Sequence, residues 1–550
     1  MRTTWCGVAI LVASLVSTTA AGAERPQSQW VRRGADGKLA YKTTERGDRI
    51  MDFSHAGYRG GGVALPEVPV KRIVKPSGDA DDTKLIQAAI DEVAKLPADA
   101  NGFRGAVLLG PGAFPCAATI NITASGVVLR GSGSGGDQRS TIKMTGEPHL
   151  AIAARLGGRR GGGGGGSVAE AANQPTSGET EAKVQTTTAD VYVPSGAISF
   201  NVADADKFEV GDAIVIRKPV TSAWVAFMHM DDLVRDGKPQ TWLKVGTTTD
   251  TERAIVAIDG RKITLDVPLA DAYDAKLLDS PGTIVAKLSS PSSPRLANVG
   301  IENLRIESPP QEISHARPHH QAIRLSGEDC WIRDVRIDET MNSVSVGGRR
   351  ITVQSVHVTR KAQHQGASKP AEIAPNGSQV LIDRCSVSGD NIWYVATGAR
   401  QAGPIVVLNC VFRGNGKAES HQRWSTGLLY DNCRATGGAG LEMRNRGSMG
   451  SGHGWSMGWG VMWNCTADSF LAQNPPGVHN WMIGCVGARE TAPRPFGAGP
   501  MLPEATVDSH GTPVAPSSLY LAQLKERLGA QALRNIGYTS AEIESEENSR

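Results

Sequence analysis

Aromatic residues are scarce in this chain, at 5%. With 64 glycines and 40% hydrophobic residues, that composition suits a turn-rich β protein better than a helical one. The sequence also lacks any Cys-x-x-Cys pair, which removes the usual zinc-ligand spacing. An excess of one charge is missing too. A formal +3 over 550 residues gives no support for nucleic-acid binding, and any hold on an acidic molecule must come from a local patch. Gly131-Ser-Gly-Ser-Gly-Gly is followed by no Gly-Lys-Ser/Thr and opens no helix, so it reads as a turn rather than a phosphate loop. The apolar run Gly7 to Val16 is too short for a comfortable membrane span. After the basic start Met1-Arg, and before the small-x-small Ala21-Gly-Ala23, it reads as a secretory signal peptide over residues 1–23. The mature protein is therefore expected from about Glu24 onwards, secreted or periplasmic, with no membrane span.

What the sequence does have is a recurring phrase. Trp331-Ile-Arg-Asp-Val-Arg-Ile, Ile351-Thr-Val-Gln-Ser-Val-His-Val, Val380-Leu-Ile-Asp-Arg-Cys-Ser-Val, Ile405-Val-Val-Leu-Asn-Cys-Val-Phe, Leu428-Leu-Tyr-Asp-Asn-Cys, Val461-Met-Trp-Asn-Cys and Trp481-Met-Ile-Gly-Cys-Val are short, β-branched-rich strands closed by polar or glycine-rich turns. Aligned on one position they give Val335, Val356, Cys385, Cys410, Cys433, Cys465 and Cys485. These are spaced by 21, 29, 25, 23, 32 and 20 residues. One strand phrase per 20 to 30 residues is the mark of a solenoid, and the strand character predicts an all-β, right-handed parallel β-helix. The thiols would form a packing column of small apolar groups rather than a disulfide framework, and Asn409, Asn432 and Asn464 a polar ladder beside it.

The rest of the chain divides around this core. Residues 24–155 hold a polar arm, a helix and the first coils. Leu85, Ile86, Ala89, Ile90 and Val93 recur at helical spacing there, with Asp81, Asp82 or Thr83 as N-cap. A cap is needed because an open first coil exposes an apolar interior and an unpaired strand edge. Asp79, Asp81 and Asp82 are read as capping and turn residues rather than as metal ligands. Residues 156–194 are a Gly-rich low-complexity linker. Residues 195–288 read as a small antiparallel β insertion with Asp259-Gly as a hairpin turn; its Trp224, His229, Met230 and Trp242 are read as buried aromatics of the module itself, the alternative being a loop that overhangs a sugar-binding cleft. The solenoid core with its active-site face spans 289–487. Residues 488–550 form a C-terminal extension in which Leu519, Leu521, Leu524, Leu528 and Leu533 mark a docking helix, capped by Ser517 or Ser518 and broken at Gly529. The charged tail from Glu542 is expected to be mobile.

Long turns of a solenoid build its binding face. Arg400, Arg423, Arg444 and Arg446 lie at similar offsets beyond their column cysteines. This predicts a cationic stripe one coil apart, suited to an anionic ligand; the alternative is pairing with Asp383, Asp390, Glu419, Asp431 and Glu442. Lys361, His364, His421, His453 and His479 fall in the same turns, beside Trp424, Trp455 and Trp481, whose faces could stack on sugar rings.

The phrases His421-Gln-Arg-Trp-Ser-Thr-Gly-Leu-Leu-Tyr-Asp-Asn, Asn445-Arg-Gly-Ser-Met-Gly-Ser-Gly-His-Gly-Trp and Val461-Met-Trp-Asn-Cys, with the Asp-Asp-Thr helix near the start, make the chain resemble secreted bacterial β-helix proteins of the pectate-lyase-like superfamily. The resemblance covers most of the mature chain and implies polysaccharide processing. Gly452-His-Gly is also similar to the Gly-His-Gly of polygalacturonase-type hydrolases. The Asn-x-Asp and the Asp-Asp pair that accompany it there are missing at equivalent places here.

Two chemistries fit this inventory. Lysis of a uronic-acid polymer by β-elimination needs a cation on the C6 carboxylate, a base for the C5 proton and a proton source for the leaving oxygen. On this reading Arg423 and Arg446 with Asn445 hold the carboxylate. His421 or His453 is the base, with Lys361 as rival. Trp424, Arg444, Arg400, Trp455, His364 and His479 bind substrate. A Ca²⁺ ion could share the neutralising role, but no dense acidic cluster demands one and no metal ligand is assigned. Glycoside hydrolysis instead needs two carboxyl groups, for which Glu442 with Asp431, or Glu419 with Asp390, could serve. A non-catalytic glycan-binding solenoid is the third reading. The expected partner is an acidic polysaccharide, and the expected state a monomer.

Overall fold

The structure, a computed structural model, describes residues 25–156, 184–288, 295–311, 318–362, 369–497 and 499–548. The expected leader, most of the Gly-rich stretch and His364 lie outside them. Strands of the repeated phrases stack in parallel register exactly one coil apart in sequence logic: Val107 opposite Leu129, then Ile301, Ile332, Val353, Ile382, Val407, Tyr430, Met462, Met482 and Val507. This is the first face of a parallel β-helix. A second face runs from Phe114 through Ile142, Ile306, Ile337, Val358, Val387 and Phe412 to Ala435. A third runs from Ile120 through Ile152, Ile323, Val344 and Ile373 to Val395, and continues with Glu419 opposite Glu442. Alternate residues of all three faces meet in one continuous buried core, as the two-residue side-chain period of a strand requires.

The corner between the first two faces is a single residue. Asn303, Asp334, Ser355, Arg384, Asn409, Asn432 and Asn464 all have φ near +50° there. That left-handed conformation is one Asn and Asp tolerate better than most residues, which explains the asparagines better than laddering does. Asn432 Nδ2 does donate to Asn409 Oδ1 at 2.7 Å, but Asn464 turns away to the carbonyls of Val514 and Ser517. The next residue inward is the column cysteine. Its Sγ lies 3.2 to 3.6 Å from a carbonyl of the preceding coil, from Val353 for Cys385 to Met462 for Cys485, so a thiol serves as both small filler and weak donor. All the described cysteines are free and buried.

The helix Thr83–Ala94, N-capped at Asp82, packs Ile86, Ala89, Ile90 and Val93 onto the interior of the first coils. Leu85, counted above in its apolar set, is instead exposed. Antiparallel strands from Gln185 to Lys287 form a separate sheet with its own core, including the Asp259–Lys262 hairpin. At the far end Ser518 caps the helix Leu519–Leu528, which stops at Gly529. The tail departs from expectation: Ser540–Asn548 is helical. Thr539 and Glu542 cap each other reciprocally there, a capping box that charge composition alone hides, and Ile543 is buried. Among the described residues, no helix is long and apolar enough to cross a membrane.

Candidate functional site

On the third face, strands Lys417–Ser420 and Arg434–Met443 turn Ala418 and Leu441 into the core. Glu419 and Glu442 therefore point outward on adjacent coils, about 4.8 Å apart at the backbone. His421 follows Glu419 by two residues, so its ring falls back over the same face. Glu419 Oε1 contacts both His421 Nδ1 and Arg446 Nη1. Arg446 Nη1 also lies 2.6 Å from His421 Nδ1. The His421 and His453 rings are 4.8 Å apart. Trp393 closes one side, edge-on to His421, with Arg446 and the Lys369 ammonium over its face at 5.0 and 4.7 Å. Arg444 Nη1 stands 3.7 Å from Glu442, and Lys417 Nζ donates to Ser469 Oγ at 2.9 Å.

Exposure sorts these groups. The Glu419 side chain is 0% exposed, Arg446 7% and His421 24%. His421 thus keeps part of its ring exposed while Glu419 is buried behind it. Burial, only partly offset by Arg446 and Arg444, raises the Glu419 carboxyl to about 7. Burial and then Glu419 raise Glu442. Burial and the neighbouring Arg446 push the His421 imidazole well down, and burial with the facing His421 does the same to His453. Burial lowers the Lys369 ammonium against the pull of Glu419 and Glu442. Glu419 Oε2 and His453 Nδ1 are buried without a hydrogen-bond partner. Buried polar atoms are seldom left so.

The predicted arginine stripe does not form. Arg423 is 1% exposed, its guanidinium spent in donating to Trp242 O, Gln422 Oε1, Ser451 O and Ser451 Oγ. Arg400 donates to Thr248 O of the insertion. The insertion packs over this part of the solenoid, and both guanidiniums hold it there. Trp424 and Trp455 are corrected for the same reason. They are buried in a cluster with Trp224, Met230 and Trp242, their indole N–H groups donating to Asp271 Oδ2 and Met228 O, so neither ring face is open to a sugar. Asn445 is buried and accepts from Gly447 N, which fixes a turn. His479 lies in another environment, stacked on Trp481 and hydrogen-bonded to Thr506 Oγ1. Lys361 is exposed in an earlier turn held by Glu339; Lys369 supplies the amine at the cluster. The proposed acid pairs fail too. Asp431 is buried on the first face, accepting from Ser518 Oγ and Tyr520 N, and Asp390 accepts from Asn415 N.

Structure thus brings together His421, His453, Arg444 and Arg446 of the predicted set. Lys369, Lys417 and Trp393 were missed as site residues, and Glu419 and Glu442 were named only as halves of hydrolytic carboxyl pairs with Asp390 and Asp431. One signal for the acids was present: Glu419 and Glu442 each stand nine residues past their column cysteines, Cys410 and Cys433. Among the described residues no group of acidic, histidine and cysteine side chains is arranged to hold a metal ion.

No protein-family model matches the chain, and no curated protein matches it. Among solved structures it is similar to a double-mutant tailspike protein of E. coli bacteriophage HK620, with 10% identity over 90% of this chain and 71% of that one, at a TM-score of 0.38. It is similar to the tailspike protein gp49 from Pseudomonas phage LKA1, with 13% identity over 74% and 69% and a TM-score of 0.33. For the Gp54 tailspike of Acinetobacter baumannii bacteriophage AP22, solved with a capsular saccharide, identity is 11% and the TM-score 0.32; 74% of this chain spans 61% of that one.

Proposed function

We propose that the protein is an exported polysaccharide lyase that cleaves a uronic-acid-containing chain by β-elimination on the outer surface of the third face. One observation carries this reading: Glu419 is fully buried against His421 Nδ1, so it orients a base instead of meeting substrate. Hydrolysis by paired carboxyls requires two that reach the glycosidic bond, and here Glu442 is the one with an open edge. An ionised Glu419 can only accept hydrogen bonds. It draws the proton to His421 Nδ1, in competition with the Arg446 Nη1 donor 2.6 Å away, and so leaves Nε2 as the free base for the C5 proton, the logic by which a buried carboxylate sets a catalytic imidazole. The low imidazole pKa keeps His421 neutral. Glu442, its carboxyl pushed up by burial and then by Glu419, is the group nearest to hand as proton donor to the leaving oxygen. Lys369, Lys417 and Arg444 supply positive charge for the substrate carboxylate, the largest part of the barrier. Elimination leaves a C4–C5 double bond. Digestion of a panel of polyuronates and glycosaminoglycans should therefore develop ultraviolet absorbance in step with new chain ends. New reducing ends without that band would overturn elimination in favour of hydrolysis, and no change on any acidic glycan would reject catalysis.

A further inference from the structure

The turn at residues 446–453 walls one side of the cluster: Arg446 touches Glu419, and the His453 ring faces His421. Two segments from distant parts of the chain converge on that turn. One is the insertion hairpin in which Val234–Arg235 pairs with Lys238–Pro239. The other is the turn at residues 494–497, beyond the last strand of the second face. Arg494 ties them together, Nη1 donating to Asp232 Oδ1 at 2.6 Å, Nη2 to Oδ2 at 2.9 Å, and Nη1 also to His229 O. The second turn rests on Gly447, where a Cβ would collide with Pro495 O. Arg235 Nη1 donates to Gly450 O at 3.3 Å, and Gly450 lies so close to the His453 ring that it has no room for a Cβ. Arg235 is also among the charges that hold the His453 imidazole down, after burial, His421, Arg446 and Arg423. The converging segments are thus continuous with the cluster.

What they present is an aromatic ring and a guanidinium side by side. Phe496 is 62% exposed even with the Arg235 guanidinium 4.8 Å from its ring centroid. Its φ is +59°, a conformation rare for a bulky side chain. Such strain persists where the surroundings impose it, and here the Asp232 fork and Gly447 fix the turn. A ring held out in water by a strained turn adds nothing to the core and is placed for an external ligand. Its electron-rich π face suits the C–H face of a pyranose. Arg235 brings the charge. Asp236 lies 3.7 Å from its Nε with a side chain 88% exposed, and an exposed pair of that kind contributes little in water. Most of the guanidinium N–H donors therefore remain for a bidentate grip on a carboxylate.

We infer that Phe496 and Arg235 form a substrate-positioning subsite beside the cluster, Phe496 stacking on one uronate ring and Arg235 holding that unit's carboxylate. It rests on the uronic-acid reading for its ligand but on no step of the reaction, so the two can fail separately. The full-length Glu419→Gln protein would be titrated by calorimetry with hexamers of galacturonate, of mannuronate and of hyaluronan, and with the same hexamers after reduction of their carboxyls to alcohols. At least one acidic hexamer should bind saturably, and its reduced form at least about tenfold more weakly. Phe496→Ala should weaken the acidic hexamer about tenfold, while Phe496→Tyr, which keeps the ring, should bind like the parent. Arg235→Gln should weaken the acidic hexamer about tenfold and cost the reduced one nothing further. With Glu419 intact, Phe496→Ala should raise KM for acidic polymer far more than it lowers kcat. Saturable binding of no acidic hexamer, a reduced hexamer bound as tightly as the acidic one, or binding untouched by Phe496→Ala and Arg235→Gln would overturn the subsite. Elimination from acidic polymer with hexamer binding indifferent to both residues would remove this inference alone. Hexamer binding that depends on both residues, without turnover, would remove the lyase reading alone.

Discussion

Two polar assemblies flank the turn at residues 421–424, and they are built to opposite rules. In the junction, Arg423 donates to two backbone carbonyls and two side-chain oxygens, and Trp424 to Asp271. In the cluster one residue earlier, carboxyls, imidazoles and cations are crowded together, with Glu419 Oε2 and His453 Nδ1 left over. Satisfied burial rigidifies, whereas imperfect burial shifts pKa values and marks a functional site. The same residue types, cation and aromatic, thus serve as scaffold on one side of a turn and form the proposed catalytic cluster on the other.

The sharpest way to break this contrast is Glu419→Gln. If the cluster is catalytic, kcat should fall about a thousandfold through loss of the tautomer lock while the melting temperature holds or rises, since an isosteric amide replaces a buried acid. A collapse of stability with activity per folded molecule intact would move Glu419 to the scaffold side. Arg423→Met should do the reverse. Leaving two buried carbonyls unpaired should cost about 3 kcal/mol in denaturant unfolding, with kcat per folded molecule within a few-fold of the parent.

pH separates the two regions as well. The folded-state pKa of Glu419 is raised from 4.5 to about 7, so its stabilising contribution is complete below about pH 4.5 and is lost as pH rises through 7. Activity should run the other way, rising through pH 7 as the carboxylate forms and frees His421 Nε2. Thermal melts and kcat/KM between pH 5 and 8.5 should show these opposed trends, and Glu419→Gln should flatten the first. Lys369→Met should raise KM for acidic polymer about tenfold with little change in kcat, checked by initial rates at several salt concentrations. Trp424→Phe, which removes one hydrogen bond to Asp271, should cost about 1 kcal/mol and leave turnover alone.

Coil register was legible because strand periodicity and the cysteine column repeat every rung, and nothing distant competes with a local pattern. Cap helices were legible from Ser518 and Gly529 for the same reason. Glu419 and Glu442 shared an offset from their cysteines, yet Arg423, Arg444 and Arg446 shared one almost as well. Offset places a residue on a coil but does not say what lies over it. The insertion, nearly two hundred residues earlier in the chain, covers Arg423, Trp424 and Trp455 and leaves His421 open. That long-range packing decided the site, and no spacing within the repeats encodes it.

The two ends of the chain are tied to one another. Ala515 N donates to Pro26 O, Gln523 bonds Phe53 N and Met51 O, and Arg527 reaches Ser54 and Gly60 carbonyls. A stack of repeats in which each rung touches only its neighbours can peel from either tip. Here peeling the last rungs must also strip the arm from the first face, so both tips are denied as starting points for unravelling. Protease nicking within residues 25–62 should accordingly loosen the C-terminal helix, nearly five hundred positions away in sequence, before it loosens the coils between.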